Sequence, residues 1–251
     1  MIEQSERDGC VTVTINRPHR KNAFDGQTVA MLLSSLHEVE RDRAVRCLVI
    51  QGAGDTFSAG RDLKEAKDTQ LPRALEHHDQ WSEIFTVLQR LKVPSVAVVR
   101  GFAVAGGFTL AMGCDFVLTH RGAKFGALEM QNGFPAAVCT PILANKAPPR
   151  LGLEFAMFGE LIEAERLVIA GLVNRLAEDI EELDQLRDEF IGRILELDPL
   201  AVRQTVETFR AAQHMPISDS MTLGRHLNQL LDASGAFARG SERFATGLED
   251  R

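Results

Sequence analysis

Apolar and polar positions fall into two rhythms along this chain. Cys10 to Ile15 alternates as a half-buried strand does, while Val45 to Gln51 and Pro94 to Val99 are short apolar runs rich in valine, as a buried strand requires. Phe116 to Thr119 continues the strand series. Helical periods lie between them. Val29 to Arg41 sets Met31, Leu32, Leu36 and Val39 on one stripe; Glu76 to Leu91 reads as a second helix, and Phe108 to Gly113 as a third, packed through small residues. Strand and helix alternate, which predicts an α/β class with mixed short strands. After about Asp179 the strands stop. Glu181 to Leu197 puts Leu183, Leu186, Phe190, Ile194 and Leu197 at helical spacing, Pro199 opens a helix through Ala212, and Met221 to Leu231 reads as another. The expected organisation is a core over 1–197 and an all-helical region over 198–251.

Composition narrows the function classes. The 251 residues are 45% hydrophobic and 25% charged, ordinary for a globular protein with a sizeable core. The net charge of −7 and the lack of a basic stripe argue against nucleic-acid binding. Four scattered cysteines (Cys10, Cys47, Cys114 and Cys139) form no CxxC pair, so neither a disulfide framework nor a zinc site is expected. The stretch from Met1 to Asp8 is polar and acidic, unlike a signal peptide, and no apolar run reaches membrane-spanning length. The expectation is a cytoplasmic protein with reduced thiols and no bound metal.

Two glycine-containing segments stand out. Phe57-Ser58-Ala59-Gly60-Arg61-Asp62-Leu63 and Gly101-Phe102-Ala103-Val104-Ala105-Gly106-Gly107-Phe108 each follow a strand-like run and precede a helix-like one. Such junctions point free backbone N–H groups into a cavity. Two of them converging would stabilise charge on a carbonyl oxygen.

Further segments accompany them in order: Asn16-Arg17-Pro18, Lys21-Asn22-Ala23, Val93 through Gly101, Leu110 through Asp115, Ala123-Lys124-Phe125-Gly126, Phe134-Pro135-Ala136-Ala137, Gly159 through Glu165, and Gly171-Leu172-Val173-Asn174. Together they resemble the crotonase superfamily, the enoyl-CoA hydratase/isomerase family, from about Thr12 to about Phe244. The resemblance implies a spiral of ββα units followed by a C-terminal helical region with oligomer contacts. It implies an acyl-CoA thioester as substrate, no separate cofactor, and a homotrimer or dimer of trimers. It assigns the oxyanion donors to the N–H groups of Arg61 and Gly106. Contacts to CoA are implied at His19, Arg20, Lys21 and Asn22, at Ala59, Gly60, Arg61, Asp62 and Leu63, and at Phe244.

The acid–base positions depart from the family pattern. Hydratases of the family use two glutamates; here Thr109 stands at the first position and Glu129 at the second. A threonine is no base near neutral pH, whereas one carboxylate suits a proton shuttle between two carbons. The resemblance therefore implies an enoyl-CoA isomerase or a weak hydratase, with thioester hydrolysis, decarboxylation or a non-catalytic scaffold as alternatives. From Glu129 to Pro135 the chain is one residue short of many relatives, and Gln131 and Asn132 bring amides to the pocket floor. His77-His78 reads as a solvated helix face, and Trp81 as a packing anchor or acyl-pocket wall.

Overall fold

A computed structural model describes residues 1–68 and 70–235. The chain opens with a hairpin, β1 (Ile2–Arg7) and β2 (Cys10–Ile15), paired antiparallel. Asp8 and Gly9 turn it with φ of 54° and 80°, the two positive angles that match a hairpin turn to strand twist. Then come α1 (Gly26–Arg41), β3 (Cys47–Gly52), α2 (Leu63–Asp68), α3 (Leu71–Arg90), β4 (Ser95–Val99), β5 (Phe102–Val104) and α4 (Gly106–Gly113). β6 (Phe116–His120), β7 (Lys124–Gly126), α5 (Cys139–Lys146), α6 (Pro149–Phe158), β8 (Ile162–Glu163), α7 (Ala164–Ile169), β9 (Arg175–Ala177) and α8 (Ile180–Glu196) follow. The last described elements are α9 (Pro199–Ala212) and α10 (Ile217–Ala233).

Six strands form one sheet in the order β1-β2-β3-β4-β6-β9, parallel from β2 onward, and three form a second in the order β5-β7-β8. The path is a spiral. β4 enters the large sheet, β5 the small one, and α4 closes the turn; β6, β7 and α5 repeat it one step along.

The period of two sorts the large sheet's side chains onto two faces. Val11, Val13, Ile15, Leu48, Ile50, Ala97 and Val99 join the core cluster that takes in α1 and α3; Cys10, Cys47, Val49, Val96 and Val98 face Leu183 and the partly buried Leu186, Phe190 and Ile194 of α8. On α1, Asp25 caps the N-terminus by accepting from Thr28 N–H, and Val29, Leu32, Leu36 and Val39 are buried. Met31, expected on that stripe, is 36% exposed: it sits one residue off the buried row.

Among the described residues two compact units divide the chain, one over 1–202 and the other from Arg203 onward. The division falls inside α9. No helix of the described residues is long and apolar enough to cross a membrane. All four cysteines are buried, and none of them forms a disulfide among the described residues.

Candidate active site

The two glycine segments run side by side. Ser58 and Ala103 bridge in parallel: Ser58 N–H donates to Phe102 O at 2.9 Å, and Val104 N–H donates to Ser58 O at 3.1 Å. A second bridge joins Phe24 and Arg61, with Phe24 N–H donating to Gly60 O at 2.8 Å and Asp62 N–H to Phe24 O at 2.9 Å. That pattern turns the Arg61 N–H to the other side of its strand. Gly106 opens α4, so its N–H is one of the helix's orphan donors. Among the described residues neither N–H has an intramolecular acceptor. Ala105, just before it, is pinned by donating to Gly126 O at 2.7 Å and holds φ 49°, ψ −123°, a conformation L residues avoid.

Buried polar groups hold this arrangement. The Asn22 side chain is fully buried; it accepts from Arg17 N–H at 2.9 Å and donates to Ala53 O at 2.9 Å and Thr56 O at 2.6 Å. The Arg17 guanidinium donates to Ala23 O and pairs with Asp25 at 2.7 Å and Asp62 at 3.3 Å. Ser58 Oγ donates to Asn22 O at 2.8 Å and accepts from Gly60 N–H at 3.1 Å. The bonds from Asn22 to Ala53 and Thr56, from Ser58 to Asn22 and from Arg17 to Asp62 join segments more than thirty residues apart, so the network fixes tertiary as well as local geometry.

Beside these turns lies a cavity of about 460 Å³. Arg61, Gly106, Thr109 and Glu129 all line it, with Ala59 and Leu63. Glu129 sits on a 3₁₀ turn, Leu128–Asn132, just after β7. Its Oε2 is buried with no hydrogen-bond partner, and burial raises its pKa above the usual glutamate value. Thr109 is buried one turn into α4, and its hydroxyl donates to Ala105 O at 3.1 Å. The Cys139 thiol approaches that hydroxyl; burial pushes its pKa to about 12, with the Glu129 charge acting in the same direction.

The opposite wall comes from α3. Trp81 is buried between Phe24 and Phe85, with ring centroids 4.9 and 5.3 Å away, and lines the cavity. His77 and His78 line it too: His78 is exposed, as expected of a solvated face, whereas His77 is half-buried at the cavity. Burial, then the charges of Arg61 and His78, lower the His77 pKa to about 4. Arg61 Nη1 lies 3.4 Å from His78 Nε2.

The remaining expected ligand contacts among the described residues do not line the cavity. Gly60 backs the cavity from behind the Gly106 N–H. The Asn22 and Asp62 side chains are committed to the network above, while Arg20 and Lys21 are exposed on the turn before α1. Phe244 lies outside the described residues. Gln131 donates to Gly159 O at 2.6 Å, so of the two loop amides only Asn132 lines the cavity.

The enoyl-CoA hydratase/isomerase family model matches residues 5–249. The chain belongs to the enoyl-CoA hydratase/isomerase family. A crotonyl-CoA hydratase of Syntrophomonas wolfei is 30% identical, over 89% of this chain and 85% of its own. A carnitinyl-CoA dehydratase of Salmonella agona is 31% identical, over 82% of this chain and 79% of its own. The crystal structure of an enoyl-CoA hydratase from Mycobacterium smegmatis superposes with a TM-score of 0.89 at 25% identity, covering 100% of this chain and 96% of that one. The protein is thus an enoyl-CoA hydratase/isomerase family enzyme with the crotonase fold, acting on acyl-CoA. Within that family frame, Cys139 is a cavity-wall residue that no sequence pattern marks. It is buried like a core residue, and only the fold brings it beside Thr109.

Proposed function

We propose that this enzyme stabilises a thioester enolate between the N–H groups of Arg61 and Gly106 and moves one proton through Glu129. The observation that carries the reading is that Glu129 is the one carboxylate lining the cavity among the described residues, with an unpartnered buried oxygen. In the reaction that suits it, the Glu129 carboxylate removes a proton from C2 of a 3-enoyl thioester. The electron pair moves onto the thioester oxygen, where the two N–H groups stabilise it. The protonated Glu129 then delivers the same proton to C4 as the pair returns, leaving the double bond at C2–C3. One proton is taken and one returned, so no second acid is needed. The raised pKa favours a group that must both accept and give a proton.

Coenzyme A enters this reading only as part of the substrate. Arg20 and Lys21, exposed on the turn before α1, suit its phosphates. The assembly is a homotrimer or a dimer of trimers. A second reading, hydration, is favoured by the names of the relatives above, but it requires one carboxylate and Thr109 to position water and deliver a proton to carbon. Incubation with 2-enoyl- and 3-enoyl-CoA thioesters separates the two. Isomerisation shifts the retention time at constant mass; hydration adds the mass of one water. Hydration outpacing isomerisation overturns the first reading.

A further inference from the structure

We propose that the acyl chain taken by this site carries a carboxylate of its own, bound by the Arg61 guanidinium with His78 and His77 beside it. This rests on the reading of the cavity as the acyl pocket, and names the class of acyl group. The role is separate from the Arg61 main-chain N–H, which any residue there would supply.

Arg61 lines the cavity as a cation without a counter-ion. Among the described residues no carboxylate forms an ion pair with it, and its one side-chain partner is the His78 ring at 3.4 Å. Arginines half-withdrawn from water are usually paired, as Arg17 is with Asp25 and Asp62. A guanidinium offers five N–H donors in a planar fork that matches a carboxylate, and a single contact to His78 leaves most of the fork open.

The neighbours sharpen the choice of ligand. His77 is half-buried and held neutral by that burial and by Arg61 itself, so it donates or accepts one hydrogen bond without adding charge. Asp25 also acts on His77, but is already paired with Arg17. Glu129 is the one carboxyl group in the wall among the described residues, and burial raises its pKa above the usual glutamate value. The rest of the lining is mostly apolar, including Phe24, Trp81, Leu128, Phe134 and Val138. An acyl chain with an apolar stem and one anionic group matches this lining, whereas a plain fatty chain would leave Arg61 desolvated and unpaired.

A phosphate of coenzyme A presents similar acceptor chemistry, so the test must separate the two sources. Glutaryl-CoA and adipyl-CoA are saturated, which removes them from the proposed isomerisation and lets binding be read apart from turnover. Their dissociation constants are measured beside those of pentanoyl-CoA and hexanoyl-CoA by calorimetry, for wild type, Arg61→Met and Arg61→Lys. At least one dicarboxylic thioester should bind wild type about 10- to 100-fold more tightly than its uncharged partner, the range of a hydrogen bond to a charged group. The ratio should fall to about one in Arg61→Met and recover in part in Arg61→Lys. It should persist in the matching pantetheine thioesters, which lack the adenosine phosphates. No preference in wild type overturns the proposal without requiring any variant to fold. An Arg61→Met variant that keeps the ratio overturns it as well. So does one that weakens charged and uncharged CoA thioesters equally while sparing the pantetheine pair, which would give Arg61 to a CoA phosphate. Failure of the proton-shuttle reading would appear in the turnover assay instead.

Discussion

A Cβ on Gly60 would fall 2.8 Å from the Gly106 nitrogen, so the two glycine turns meet through their backbones. Gly60 also holds φ +84°, where an L side chain is strained. Gly60→Ala should therefore displace the Gly106 N–H and lower kcat by about 10²–10³, the loss typical of one missing oxyanion donor. Gly106→Val attacks the same point from the other side, because its Cβ would already lie 3.2 Å from Trp81 Cζ2. Turnover is measured beside far-UV circular dichroism. Either variant folded and fully active would mean that the hole lies elsewhere.

Glu129→Gln should cut turnover by about two to four orders of magnitude while acyl-CoA binding stays close to wild type. Its stability should also respond to pH in a defined direction. The raised pKa means the folded protein holds the Glu129 proton more tightly than the unfolded chain does. Wild-type stability therefore falls as pH rises from the ordinary glutamate range through the raised value. Glutamine has no such proton to lose. Melting temperatures of variant and wild type should converge at low pH, and the variant should be the equal or better of the two near neutrality. A variant that melts lower only near neutrality would show the Glu129 carboxylate to be satisfied rather than stranded.

How far this was legible in the chain depended on distance along it. β3 and β4 read as strands because each is a continuous apolar run, buried on both sides. β5, β7 and β8 have only two or three residues, too few for any period, so the small sheet and the spiral it completes needed the resemblance or the structure. β1 carries no strand pattern of its own, because its residues are mostly exposed and polar; only the Asp8-Gly9 hairpin signal marks it. Within the site, Glu129 and Thr109 are singled out by position in a motif. Asn22 read as a ligand contact, yet its side chain bonds the backbone of residues 53 and 56, which no local pattern reveals. His77 is hidden for a different reason: a polar helix face looks the same toward solvent and toward a half-open cavity.

Thr109→Glu should raise hydration relative to isomerisation. The position lies one turn into α4, in the cavity wall and close to the Cys139 thiol, which in turn feels the Glu129 charge. A second carboxyl there would supply the missing group for water addition. Product ratios from a 2-enoyl-CoA thioester, read by mass, check this. A folded Thr109→Glu variant with an unchanged ratio would show that the second carboxyl is not what limits hydration.

Ala105→Gly should stabilise the protein. Ala105 sits at φ 49°, ψ −123°, accessible to glycine and strained for alanine, and it is locked there by its bond to Gly126 O. Relief of such strain typically exceeds the added chain entropy of glycine, leaving a net gain of about 1 kcal/mol. Denaturant midpoints at an unchanged m-value report it. A lower midpoint would mean that the alanine methyl contributes packing worth more than the strain.

Full-length protein should run as a trimer or a dimer of trimers in light scattering, and a chain ending at Leu197 should not. In the C-terminal helices, Leu200, Phe209 and Leu230 are 52%, 64% and 63% exposed, with Met221 at 67% and Ile217 at 77%. Large apolar side chains this open are costly in water when they recur along two successive helices, and covering them with other copies removes that cost. α9 and α10 are both amphipathic, so each has a face to bury. If those helices also wall a neighbour's ligand site, assembly and turnover should be lost together on truncation. Substituting Phe209 and Leu230 by lysine in the full-length chain tests the same surface with both helices kept. Molar mass and activity should fall in parallel, and a monomer at micromolar concentration with undiminished turnover would overturn the link between assembly and activity.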